Sequence, residues 1–238
     1  GDWSSEVCSS DLIRHRGQPR RVIQFQQVSK RYPGQHDALT DVSFHLAQGS
    51  MTFLTGHSGA GKSTLLKLIA RLETPSQGQI QVAGQNIGRF SPRQIPYYRR
   101  KIGIVFQDPH LLHDRNVFEN VALPLLITGQ FSYQEIGKRV RAALDKVQLL
   151  DKENTTPVRL SGGERQRIGI ARAIVAKPQI LLADEPTGNL DAALAEEILN
   201  LFIQFNQIGV TVLIATHDLA LISKIDIPQI NLNQRQVT

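Results

Sequence analysis

GHSGAGKST, residues 56–64, lies between the apolar run MTFLT and the helix-patterned LLKLIARL. It fits the spacing G-x-x-x-x-G-K-[ST]. Glycines at those positions let successive backbone N–H groups curl around phosphate oxygens, and the helix start behind them adds positive potential. Gly56, His57, Ser58, Gly59, Ala60, Gly61, Lys62, Ser63 and Thr64 are therefore expected to form a nucleotide-binding loop. Lys62 is expected to reach the β- and γ-phosphates, and the Ser63 hydroxyl to ligate Mg²⁺.

Outward from this loop, strand and helix patterns alternate. VIQFQQVSKRY reads as a strand, and LTDVSFHLAQGSMTFLTG as two more around a Gln48-Gly49 turn. KSTLLKLIARL is helical, with apolar positions 65, 66, 68, 69 and 72 on one side. GQIQVAGQNI enters a turn, and IGIVFQ is a short buried strand. Residues 108–160 change character. Asn116 to Ile127 is helix-like with an interruption expected at Pro124, and Ser132 with Glu135 opens a helix to about Val147. From Ser161 come a helix, the apolar strand QILLAD, a helix over 191–206, the strand VTVLIAT and a short helix. Strands alternating with helices predict an α/β fold whose parallel sheet is covered on both faces. IDIPQINLNQRQVT at the C-terminus is read either as a divergent final strand pair or as an end effect.

In open α/β sheets ligands bind beyond the C-terminal strand edge, so residues ending apolar strands are the candidates for chemistry. ILLADEP delivers Asp184 to that edge as an expected Mg²⁺ ligand, with Glu185 beside it as general base for the attacking water. Gln107, after IGIVF, and His217, after VLIAT, end strands in the same way. Tyr32 precedes the second strand and is a candidate for stacking on adenine.

RLSGGERQRIGIARA, residues 159–173, raises a different question. Ser161 and Glu164 form a capping box, so Ser161, Gly162 and Gly163 present helix-start N–H groups to an anion, yet no lysine is placed to grip it. Half a phosphate site makes sense if a second molecule supplies the other half.

LSGGERQ, with the phosphate loop, the acidic strand end, GNLD and the post-strand histidine, resembles the ATPases of ABC transporters. The resemblance covers essentially all of residues 22–225 in the family's order. It implies an ABC-type P-loop NTPase: a RecA-like parallel-sheet core, an antiparallel β subdomain, and an inserted helical subdomain at about 108–160 within a domain spanning 21–238. It also implies ATP and Mg²⁺ as cofactors and a head-to-tail homodimer, in which Ser161, Gly162 and Gly163 close over the partner's γ-phosphate. Gln107 resembles the family's Q-loop glutamine and would join Ser63 and Asp184 at the metal. His217 resembles the switch histidine, and Asp191 the D-loop aspartate. Catalysis would fall to Glu185, His217, Gln107 and Lys62. Glu164 replaces the glutamine of the family's signature, which should leave the helix-start donors in place.

Within the family, FQDPHLLHDRNVFENVALPLLITG together with KRYPGQHDAL and THDLALI resembles the bacterial cell-division members. Relatives in lipoprotein release and macrolide-type export share the general layout. The resemblance implies an integral membrane protein as partner and a cytoplasmic, peripheral location on the inner membrane.

Composition sets the outer bounds. The chain has 238 residues, 41% of them apolar, enough for one large α/β domain. The net charge is +6, and no basic tail of the kind that binds phosphate backbones is present, so no stable nucleic-acid partner is expected. GDWSSEVCSSDL, residues 1–12, has neither helical nor strand periodicity. It resembles one reading frame of a common sequencing adapter at every position but Glu6. We expect residues 1–20 to be a non-native leader and the native start to lie near Val22. Cys8 and Trp3, the only cysteine and tryptophan, fall there, so thiol chemistry is not expected of the protein proper.

Overall fold

Burial along RVIQFQQVSKR shows how the first strand works. In β1 (Arg21–Arg31), Ile23 and Phe25 point inward. The register then shifts between Phe25 and Val28, with Gln27 at a φ of 49°, so that Val28 and Lys30 become the inward residues. That is a β-bulge: one extra residue flips the alternation. β1 pairs antiparallel with β2 (Asp37–Ala47) and β4 (Gln77–Val82), and β5 (Gln85–Asn86) completes a four-stranded sheet ordered β2-β1-β4-β5.

The computed structural model describes residues 21–34, 37–188, 190–218, 222–223, 225–233 and 235–237. The leader expected over residues 1–20 lies outside them, as does most of the short helix expected after VTVLIAT. A second sheet contains β3 (Met51–Thr55), β6 (Ile102–Val105), β7 (Ile180–Asp184), β8 (Thr211–Ala215), β9 (Gln229–Asn233) and β10 (Gln236–Val237). Its order is β10-β9-β3-β8-β7-β6, parallel throughout except for β10 against β9. Every residue of β3 and of β8 is buried, as both-face coverage requires. The chain leaves β3, enters the other sheet, and returns at the far edge as β6. It then fills inward through β7 and β8 beside β3. This reversal of direction at β3 opens a crevice at the carboxyl ends of the strands.

The helices are α1 (Lys62–Ile69), α2 (Gln94–Arg99), α3 (Val117–Thr128), α4 (Tyr133–Lys146), α5 (Gly162–Ile174) and α6 (Ala192–Gln207). Both halves of a capping box open α3, α4 and α5. The interruption expected at Pro124 does not occur: α3 runs through it. Val117, Val121 and Leu125 are fully buried along one face of α3, and their packing holds the helix despite the missing N–H. The two strands read around Gln48-Gly49 exist but belong to different sheets, so this turn is a crossing point. IDIPQINLNQRQVT forms the final strand pair, with β9 parallel to β3. No helix among the described residues is long and apolar enough to cross a membrane.

Candidate nucleotide site

β3 ends at Thr55, and residues 56–61 curl before α1 starts at Lys62. Gly56 has a φ of 150°, and a Cβ there would strike the Leu232 carbonyl of β9. Only glycine turns the chain in that space. Lys62 is buried and folds back over the loop, its Nζ donating to the Gly56 carbonyl at 2.8 Å and the His57 carbonyl at 3.2 Å. The ammonium is thus held at the centre of the curled loop.

β7 and β8 bring the acid and the imidazole to the same place. Glu185 follows β7 with a φ of 46°, a conformation an L-residue adopts only when its surroundings enforce it. Its N–H donates to Ala215 at the end of β8 (2.9 Å), and its Oε1 lies 2.8 Å from His217 Nδ1 and 3.4 Å from Lys62 Nζ. The His217 backbone N–H also donates to Glu185 Oε2 at 3.3 Å. One carboxylate therefore bridges the phosphate-loop lysine and the post-strand histidine.

Asp184 fits a hard cation. Its Oδ1 is buried without a hydrogen-bond partner, and burial raises its pKa above the ordinary aspartate range against a hydrogen bond from Ser63. A buried carboxylate oxygen left unpaired, beside a serine hydroxyl, is the oxygen donor set that Mg²⁺ takes with one or two carboxylates and phosphates.

A cleft of about 710 Å³ opens beside these groups, and Asp184 is not among the residues lining it. Tyr32, Ser58, Gly59, Gly61, Lys62, Ser63, Thr64, Gln107, Glu185 and His217 line it. Gly56, His57 and Ala60 do not, and act through the loop's shape. Ser161, Gly163 and Asp191 are not in the cleft either. Gly162 lines a neighbouring cleft of about 730 Å³ that shares Gln107 and Glu185 with the first. Ser161 Oγ accepts from Glu164 N at 3.2 Å, and the Glu164 carboxylate accepts from Ser161 N at 2.7 Å. Those two bonds occupy the backbone N–H groups of Ser161 and Glu164 and leave Gly162 and Gly163 at the head of α5. A Cβ on Gly163 would strike Leu194 of α6, so its backbone lies directly against the helix that Asp191 caps.

Sequence reasoning missed Arg235, which lines the cleft from the β9–β10 turn, and Lys30, whose Nζ lies 4.7 Å from the Tyr32 ring centroid. Lys30 carried a signal, since it stands two residues before Tyr32 on extended backbone and shares its side. Arg235 sits in the C-terminal stretch, read only as a final strand pair or an end effect, with no site residue expected there.

The ABC transporter family profile matches residues 39–188. The cell division ATP-binding protein FtsE of Escherichia coli (strain K12) is 61% identical over 203 residues, 85% of this chain and 91% of that protein. FtsE of Bacillus subtilis (strain 168) is 44% identical over 197 residues, 83% and 86% of the two chains. A methionine import ATP-binding protein of Pseudomonas putida is 42% identical over 208 residues, 86% of this chain and 62% of that one. Among solved structures, the dimeric ATP-binding cassette MJ0796 in a post-hydrolysis state bound to ADP and Pi superposes with a TM-score of 0.83. It is 34% identical, over 90% of this chain and 96% of that one.

Proposed function

The chain belongs to the ABC transporter family, and from that premise we propose that two copies close head to tail around two ATP molecules and drive an FtsX-like integral membrane protein in bacterial cell division. The chain is an ATPase of this family, converting ATP and water to ADP and phosphate with Mg²⁺. One observation carries the reading of the site: Glu185 bridges Lys62 and His217 at the edge where Ser63 and Asp184 meet.

Each residue then has a task. Lys62, already central in the loop, pairs with the β- and γ-phosphates when they enter. Its move to the phosphates leaves Glu185 to accept a proton from the water attacking the γ-phosphorus. His217, hydrogen-bonded to Glu185, orients that carboxylate and reaches the γ-phosphate. Ser63, Asp184 and Gln107 would hold Mg²⁺, which would supply positive charge against that building on the phosphate oxygens. Tyr32 stacks on the base. The partner subunit's Ser161, Gly162 and Gly163 donate to the γ-phosphate across the interface, which is why that half-site needs no lysine of its own. Loss of the γ-phosphate removes the bridge, and the dimer reopens because its closed form was held by differential binding alone.

Residues 108–160 are proposed as a helical subdomain that carries closure to the membrane partner on the cytoplasmic face. The 61% identity to a cell-division ATPase, against 42% to an importer, favours the division role over transport. Affinity capture of the Glu185→Gln form from detergent-solubilised membranes with ATP tests it. Co-purification of an FtsX-like protein is expected, and recovery of a substrate permease in its place would assign the chain to a transporter.

A further inference from the structure

We propose that Lys30 is a positioning residue for the nucleotide base, fixing Tyr32 from behind and tying it to the helix that begins at the phosphate loop. This rests on the reading of Tyr32 as the base platform.

Three observations meet at one ammonium. Lys30 is only 8% exposed, because the bulge at Gln27 turns it from the solvent face to the inner face of β1. Its Nζ donates to Glu73 Oε2 at 2.8 Å and to the Thr74 carbonyl at 2.9 Å. It also lies 4.7 Å from the centroid of the Tyr32 ring. An ammonium has three N–H donors: the two oxygens take two, and the negative face of the ring takes the third.

The geometry has two consequences. A cation seated on one face of Tyr32 leaves the opposite face for the base, so the ring presents a single stacking surface. Glu73 and Thr74 belong to the loop leaving α1, and Leu72 and Glu73 donate back to the Lys67 carbonyl of that helix. α1 itself starts at Lys62. Lys30 therefore links the base side of the cleft to the helix carrying its phosphate side. Arg31 adds to the rigidity, its guanidinium pairing with Asp37 across the stem of the turn that holds Tyr32.

Titration of the full chain with Mg-ATP and, separately, with Mg-tripolyphosphate isolates the base contribution. Lys30→Met should weaken ATP binding by about tenfold, the scale of a desolvated cation–π contact together with loss of ring alignment. Tripolyphosphate binding should be unchanged, and KM for ATP should rise by the same factor with kcat retained. Glu73→Gln keeps the side-chain shape and loosens the grip on Lys30, and it should shift ATP in the same direction by a smaller factor. It serves as the test if Lys30→Met fails to fold. In a Tyr32→Ala background, Lys30→Met should have no further effect. Equal weakening of ATP and tripolyphosphate, or no change in ATP, would overturn the role of Lys30 while leaving Tyr32 untouched. If Tyr32→Ala alone leaves ATP affinity unchanged, the base platform is elsewhere and the proposal goes with it.

Discussion

Glu185 and Asp184 are adjacent carboxylates with different surroundings. Glu185 is held by Lys62 and His217 in a strained left-handed backbone, whereas Asp184 has one oxygen buried with nothing bonded to it. Burial raises the Asp184 pKa, so the fold favours its neutral form. The sign follows: a carboxyl whose folded pKa is raised contributes stability below the unfolded value and loses it as pH rises through the folded value. The charged form of the side chain is thus a local cost that a bound cation relieves. Asp184→Asn should melt at or above the temperature of the unsubstituted chain without Mg²⁺, and should lose the stabilisation that Mg-ATP confers; thermal denaturation with and without Mg-ATP checks both. These strand-end acids were legible in the sequence because a short apolar run has only one place to put the polar residue that follows it. The pairing of Lys30 with Glu73 was not, since 43 residues separate them and only the fold makes them neighbours.

The helix starts show one device used for two purposes. Ser132 and Ser161 each cap a helix with a glutamate three residues on, and both Glu135 and Glu164 are held below the usual glutamate range, chiefly by the backbone N–H of their serine. Carboxylates depressed in this way stabilise the fold above their unfolded pKa and lose that contribution as pH falls through the folded one. Removing either hydroxyl should cost about 1 kcal/mol of stability. Only at Ser161 should ATP turnover fall as well, because only that serine is proposed to face a partner's phosphate. Melting temperatures and steady-state hydrolysis of Ser132→Ala and Ser161→Ala separate the two. Gly163→Ala tests the element beneath: an added Cβ meets the Leu194 side chain, which must give way between α5 and α6, at about 1–3 kcal/mol. Turnover should fall with stability in that variant, measured by denaturant titration and hydrolysis. Element types were readable from period and caps. What the sequence left open was sheet membership: Gln48-Gly49 has the chemistry of a hairpin turn, but β2 and β3 part there because β3 finds parallel partners on both sides.

At the scale of the molecule, the reversal of strand direction at β3 gathers Lys62, Gln107, Asp184, Glu185 and His217 from four strand ends to one edge, while Ser161 and Asp191 begin helices outside that cleft. On the proposed reading the helix-start donors for a γ-phosphate stand apart from the cleft that binds it, and a second copy would complete the site. On the proposed mechanism ATP itself is the bridge between the two copies. Sedimentation equilibrium of the Glu185→Gln form tests this most directly, since hydrolysis cannot empty the site during the run. A dimer is expected with Mg-ATP and a monomer with Mg-ADP, and substitution of Ser161 should weaken the dimer. A monomer at saturating Mg-ATP, or a dimer indifferent to nucleotide, would contradict it.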